Sequence, residues 1–461
     1  MRALPKIFYT ALCLLVLISV VACSAGKEAE PKFRYESDTS LSALLETVPD
    51  YPETSFVVFS DPHIYDPALG TEGQAFEDYL ADDRKLLRES TEIVEAAVAA
   101  IVDEEAVLVF VPGDLTKDGE RVSHELMAGY LSQLEAGGKQ VYVVTGNHDI
   151  KNGHSFKYAG DKTERVPNIT PAEFTQIYDE FGYEEALYRD PASLSYVAEP
   201  QAGLWLLALD SCLYRENIED EEPITDGKFS AATLEWIEEM LEKAARESKA
   251  VIVMMHHGIV EHYVGQERNF GEYVLDDYPA VSKLLAMYNA RLVFTGHYHA
   301  QDITVVRWPE SNKFVFDIET GSLVTYPAPH RVVSIDAAPQ KAVVQTRNVE
   351  SISSRPDDFQ EYARAYVQSG IEGIATGTIM GYKVGQAEAE KLAEEVAQAF
   401  IAHYVGDENL PTGQEVMQTK GLSIPGRLVV FFRKDLVIGL WDDLEPPDNN
   451  VTIDLKTGSW Q

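Results

Sequence analysis

Five short clusters of metal-seeking residues each sit just after a run of β-forming residues, and that address constrains the chain more than any other feature. Asp61-Pro62-His63 follows Ser55–Ser60, Gly113-Asp114 follows Ala106–Val111, and Gly146-Asn147-His148-Asp149 follows Gln140–Thr145. His256-His257 follows Ala250–Met255, and Gly296-His297-Tyr298-His299 follows Arg291–Thr295. Apolar runs of this kind read as strands buried on both faces. In open α/β sheets ligands gather beyond the carboxyl ends of strands, so a site built from all five clusters is expected there.

Between the clusters the apolar period changes to that of helices. Leu86, Leu87, Ile93, Val94, Ala97, Val98 and Ile101 recur at helical spacing, as do Leu234, Ile237, Met240 and Leu241. The alternation predicts a layered α/β domain. At 461 residues the chain exceeds the roughly 250–300 at which a single core stops growing, so a smaller second domain is expected. The strand-like runs Asp302–Val306, Lys313–Phe316 and Arg331–Ile335 suggest a closing sheet, which places the main domain at 53–350. In the remainder, 351–461, Pro356 introduces a helix carrying Phe359, Tyr362, Ala363, Tyr366 and Val367. A second helix carries Leu392, Val396 and Phe400, with Gly406 as its stop. Arg427–Trp441 reads as two strands around Arg433-Lys434-Asp435.

The N-terminus has Arg2 and Lys6, an apolar stretch from Ile7 to Ala22, and then Val20-Val21-Ala22-Cys23 before a polar run. This is the layout of a secretory signal, and a small residue before a cysteine resembles a bacterial lipobox. The expectation is a signal peptide over 1–22, lipidation of Cys23, a tether over 23–52 and an extracytoplasmic protein lipid-anchored to a bacterial membrane. Ordinary cleavage and an uncleaved anchor are the alternatives. Loss of 1–22 removes Arg2 and Lys6, changing 38 cationic against 75 acidic residues (−37) to 36 against 75 (−39). So acidic a chain is a poor fit to nucleic-acid backbones, whose binding depends on Lys and Arg. Of the cysteines Cys13, Cys23 and Cys212, only Cys212 lies outside the signal and the lipidation position, and it reads as packing rather than catalysis.

Two divalent ions about 3.5–4 Å apart can stabilise in-line attack on a phosphoryl group. Such a pair needs a bridging carboxylate and several imidazoles. Asp61 and His63 are two apart, as are His297 and His299, so a strand running through each pair would project both side chains to one face. Asp114 follows a glycine that permits a sharp turn, Asn147 offers a neutral oxygen, and His148 beside it can face substrate. His257 points away from His256 on a strand and suits a supporting or substrate contact. His262 and His330 lie near cluster-bearing loops and are open between substrate contact and ordinary surface positions. His124 and His403 read as helix residues, Tyr298 as packing on the opposite side, and Lys117, Asp118 and 151–165 as the rim of a pocket.

The order D-x-H, G-D, G-N-H-D, strand-end His and G-H-x-H, over about 240 residues, resembles the calcineurin-like metallophosphoesterases. The resemblance implies a β-sandwich flanked by helices, with one ion held by Asp61, His63, Asp114 and His299 and the other by Asp114, Asn147, His256 and His297. It implies His148 as the acid–base group, Asp149 as its orienting partner, and hydrolysis by a hydroxide bridging the metals. The ligands suit manganese, iron or zinc. Gly113–Gly119, Ile177–Tyr183, Ser193–Tyr196 and the double His256-His257 are similar to bacterial lipoprotein 3′,5′-cyclic-nucleotide phosphodiesterases. The expected partner is therefore a small phosphate-ester substrate. A phosphomonoesterase or nucleotidase with the same metal core, and a catalytically inert scaffold lipoprotein, are the alternatives.

Overall fold

The strand-forming runs assemble into two large sheets in the computed structural model, which describes residues 31–461 except 82, 219 and 220. The expected signal peptide and Cys23 lie outside the described residues. In the first sheet β1 (Thr54–Val58), β2 (Leu108–Val111) and β3 (Gln140–Val143) are parallel. On the far side of β1, β13 (Pro329–Asp336), β14 (Lys341–Asn348) and β15 (Asn450–Asp454) continue antiparallel, giving the order β15-β14-β13-β1-β2-β3. A hairpin of β4 (Phe156–Ala159) and β5 (Lys162–Arg165) stands apart.

The second sheet uses β6 (Tyr188–Arg189), β7 (Tyr196–Gln201), β8 (Leu204–Leu209), β9 (Ala250–Met255), β10 (Leu292–Thr295), β11 (Asp302–Trp308) and β12 (Lys313–Glu319). Its order is β11-β12-β10-β9-β8-β7-β6, with β8, β9, β10 and β12 parallel. Along β8, Leu204, Leu206 and Ala208 face the first sheet's core while Trp205, Leu207 and Leu209 face a second core. That is the two-residue period of a strand covered on both faces. Phe56 of β1 meets Phe294 of β10 edge-to-face at 5.1 Å, so the sheets pack face to face, and such a ring pair adds about 0.5–1.5 kcal/mol beyond its burial. Helices Ser90–Asp103 and Arg121–Ala136 cover one side, and Ala231–Arg246 and Tyr278–Met287 the other. The expected α/β sandwich flanked by helices is the observed fold.

The C-terminal region is helical as expected, with helices Phe359–Gly381 and Gln386–Val405, the latter ending at Gly406. Its core includes Tyr298, which packs away from the cluster that contains it. Two local expectations fail. The stretch read as two strands is a single helix, Ile424–Gly439, started by Ser423, whose side chain accepts from the Gly426 amide, and by Pro425 in the first turn. Its buried pairs Val429-Val430 and Leu436-Val437 recur after seven residues, a helical repeat, while Phe431 and Phe432 face solvent. And within the stretch expected to be a tether, Phe33, Leu41 and Leu45 are buried in the second core, with the helix Thr39–Leu45 capped by Asp38. Chain beyond 350 also returns to the main sheet, because β15 pairs with β14.

Candidate metal centre

The parallel strands of both sheets end on one side of the sandwich, and their first loop residues meet there. From the first sheet come Asp61, His63, Asp114 and Asn147; from the second come His256, His297 and His299. The backbone does not stay extended through these positions. Asp61, His63, Asp114, His297 and His299 all have positive φ, between 36° and 78°. A strand continuing through the D-x-H and H-x-H pairs is therefore not what brings their side chains together. Each chain turns abruptly at the strand end, a strained conformation for a non-glycine residue. Gly113 takes φ 101° immediately before Asp114, as the expected sharp turn requires. Gly146 serves a different need, since a Cβ there would fall 2.1 Å from Asp114 Oδ1.

The side chains form two groups joined by Asp114. His63 and His299 bring their Nε2 atoms to 3.1 Å, and Asp61 Oδ1 lies 3.8 Å and 3.4 Å from these nitrogens. The other oxygen of Asp61 is used by the Ser60 hydroxyl at 2.5 Å and the His297 amide at 3.1 Å, whereas Oδ1 is buried without a hydrogen-bond partner. His256 Nε2 is 3.1 Å from Asn147 Oδ1 and 3.3 Å from Asp114 Oδ2, and His256, His297 and Asp114 converge on one point. Asp114 Oδ2 also lies 3.6 Å from His63 Nε2. One carboxylate oxygen thus faces imidazoles of both groups, while the other accepts the His148 amide at 2.9 Å.

The charges follow from this crowding. Burial alone would raise the Asp114 carboxyl, but His256, His148 and His63 hold it well below the ordinary carboxylate value. Burial carries His63 and His297 well below the ordinary imidazole value, which keeps them neutral with lone pairs available. Burial opposes protonation of His256 too, yet Asp114 and Asp61 lift it to about 9. A proton on His256 and a metal ion answer the same excess of negative charge. Imidazole and oxygen donors without thiolate, one buried carboxylate oxygen left unpaired, and a shared carboxylate fit a pair of divalent ions.

His148 closes the group on its open side. Its Nδ1 donates to the Lys117 carbonyl at 2.7 Å and to Asp118 Oδ1 at 2.9 Å, leaving Nε2 toward Asp114 at 4.0 Å. Asp118, not Asp149, therefore orients it. The Asp149 carboxylate accepts from the Thr116 amide and hydroxyl and from the Gly146 amide, tying the loop after β2 to the loop after β3. Neighbours on a tight loop point in different directions, and the order of residues cannot tell which acid faces the ring. Lys117 and Asp118 are not rim residues either. Lys117 is fully buried, paired with Asp118, and its ammonium sits 4.1 Å from the Tyr79 ring centre. Only the motif Gly113–Gly119 hinted at this Lys–Asp–His chain.

The remaining histidines sort by their partners. His257 is buried with Nδ1 on the Ser211 hydroxyl and Nε2 on the Thr225 carbonyl, its ring 4.3 Å from that of His297, so it braces His297. His262 is no substrate contact, being buried among Asp302, Asp317 and Glu319. His330 is buried in β13, opposite Arg347, and takes no part in the converging groups. His124 bridges the Tyr178 hydroxyl and the Asp149 carbonyl from its helix. Cys212 is buried, its thiol on the Thr145 carbonyl, as expected for packing.

A sandwich whose parallel strand ends gather two imidazole–carboxylate groups around one shared aspartate defines a metal-dependent hydrolase of phosphoric esters. The family model for calcineurin-like phosphoesterases matches residues 54–301, more than half of the chain, and the chain belongs to that family. No curated protein sequence matches it. Similar solved structures include a dimetal phosphatase from Danio rerio, 15% identical over 65% of this chain and 97% of that one with TM-score 0.45. Another is a purple acid phosphatase from yellow lupin seeds, 14% identical over 66% and 52% with TM-score 0.41.

Proposed function

We propose that the protein hydrolyses phosphodiesters, with 3′,5′-cyclic nucleotides as its substrate class, through the centre organised by Asp114. The observation that carries this reading is the Asp114 Oδ2 atom facing His63 at 3.6 Å and His256 at 3.3 Å. Asp61, His63, Asp114 and His299 would hold one divalent ion, and Asp114, Asn147, His256 and His297 the other, of manganese, iron or zinc type. Such a pair neutralises charge on the phosphoryl oxygens and makes a bound water more acidic.

The chain supplies the rest. Asp114 sets the spacing of the two groups, and His257 and the Pro112 carbonyl, which takes His256 Nδ1 at 2.8 Å, lock the ring orientations. With Nδ1 committed to Lys117 and Asp118, His148 presents Nε2 to the phosphate and protonates the departing oxygen. A diester leaves a poor alkoxide, so this proton matters more than it would for an activated ester. A cavity of about 270 Å³ lies mainly among the C-terminal helices, and of its lining only Tyr273 approaches the centre, its ring 4.6 Å from that of His297.

The sequence layout at the N-terminus further supports lipidation of Cys23 and attachment to the outside of a bacterial cytoplasmic membrane or beyond. Partition into detergent that is abolished by Cys23→Ser tests that placement. The activity is tested by a manganese-loaded panel of bis-p-nitrophenyl phosphate, p-nitrophenyl phosphate and 2′,3′- and 3′,5′-cyclic nucleotides. Cleavage of the monoester alone refutes the diester reading, and cleavage of none with any metal refutes hydrolysis.

A further inference from the structure

A second convergence of ligand-type side chains lies where the main domain meets the C-terminal helices. Asp302 opens β11, His403 is on the last turn of the helix Gln386–Val405, and Glu408 follows Gly406. Their ligand atoms lie within 4.8 Å of one another, and the three are 0%, 0% and 4% exposed. His403 Nδ1 is 2.7 Å from Glu408 Oε1 and 3.9 Å from Asp302 Oδ2. Asp302 Oδ2 and Glu408 Oε2 are both buried with no hydrogen-bond partner.

An unpaired buried carboxylate oxygen is costly, and two facing one imidazole need an explanation. The cationic side chains nearby donate to neither of these two oxygens. His262 holds the other oxygen of Asp302 at 2.6 Å, but it also faces Asp317 and Glu319. The buried Arg331 guanidinium donates to the backbone carbonyls of Asp302, Glu319 and Asp448, not to carboxylates. Asp443, whose Oδ1 is likewise buried without a hydrogen-bond partner, adds a further acid.

The geometry points to a structural divalent-cation site formed by Asp302, His403 and Glu408, distinct from the centre at Asp114. One imidazole with two carboxylates suits zinc or manganese, whereas calcium and magnesium prefer all-oxygen shells. His262 is the supporting partner that orients Asp302, a role hydrogen-bonded neighbours commonly play around ligands. An ion there ties the first residue of β11 to the end of a C-terminal helix, so it braces the appendage against the sandwich.

The test counts metal in full-length protein. Zinc or manganese loading followed by elemental analysis should give one equivalent fewer for Glu408→Gln than for the unaltered chain, with a smaller metal-induced rise in Tm. In a background of Asp61→Ala and His256→Ala, which takes a ligand from each group at Asp114, one equivalent should persist and then vanish when Glu408→Gln is added. An equivalent that survives Glu408→Gln, or a folded Asp61→Ala, His256→Ala protein that retains none, overturns the assignment. Neither result depends on turnover, so failure of the diesterase reading would leave this site standing.

Discussion

The Lys117–Asp118–His148 chain makes a prediction that separates positioning from metal binding. In Asp118→Asn the ring keeps the Lys117 carbonyl at 2.7 Å but exchanges an ionised acceptor at 2.9 Å for a neutral amide oxygen. Hydrogen bonds to charged groups contribute about 1.5–3 kcal/mol and neutral ones about 0.5–1.5, so the substitution removes about 1–2 kcal/mol from an oriented, protonated imidazole. That corresponds to roughly a 5- to 30-fold fall in kcat where proton delivery limits turnover. The loss should appear with a cyclic nucleotide, whose alkoxide needs a proton, and largely disappear with bis-p-nitrophenyl phosphate, whose nitrophenolate does not. Lys117 loses its carboxylate as well. Breaking a buried ion pair costs about 3–5 kcal/mol, here offset in part by Glu120 at 3.7 Å and by the Tyr79 ring, so Tm should fall while metal content stays at the unaltered level. An equal fall in kcat for both leaving groups, or loss of metal, refutes the assignment of Asp118 as the positioning residue for His148.

Other outcomes follow from the same geometry. His148→Gln should keep its metals by elemental analysis yet lose about 10²- to 10⁴-fold in kcat, the usual contribution of a general acid; unchanged turnover on cyclic nucleotides would remove His148 from the chemistry. Gly146→Ala places a Cβ 2.1 Å from Asp114 Oδ1, and should abolish binding at the Asp114 centre, read as lost metal and lost activity together; full metal occupancy would show that the loop can yield. Burial holds the His124 imidazole down at about 3. A depressed folded pKa contributes stability that is complete above the unfolded value of about 6.5 and is lost as pH falls toward 3. His124→Asn should therefore flatten the urea-unfolding stability of metal-free protein across that window, and an unchanged slope would contradict the pKa.

How much could be read before the fold was known depended on the range of the interaction. The runs Ser55–Ser60 and Ala250–Met255 announced themselves as strands because burial on both faces demands unbroken apolar residues, and the fold follows from several such runs at once. The helix Ile424–Gly439 is not legible locally, because Val429 to Phe432 is as good a strand as a helix. Only its packing on the C-terminal core, with Phe431 and Phe432 left outside, decides the matter. Phe33, Leu41 and Leu45 sit in a polar stretch too sparse to reveal that they dock on the second core.

At the site, the residue types and their strand-end positions were determined by the sequence alone. Ligand chemistry is a property of side chains, and strand ends can be located from apolar period. Which acid faces His148, which histidine braces His297, and that Asp302 meets the distant His403 and Glu408 were decided only in three dimensions. Each depends on the direction in which a side chain leaves a loop. That direction is set by left-handed turns at Asp61, His63, Asp114, His297 and His299 and by contacts between the two sheets, neither of which leaves a local periodicity to read.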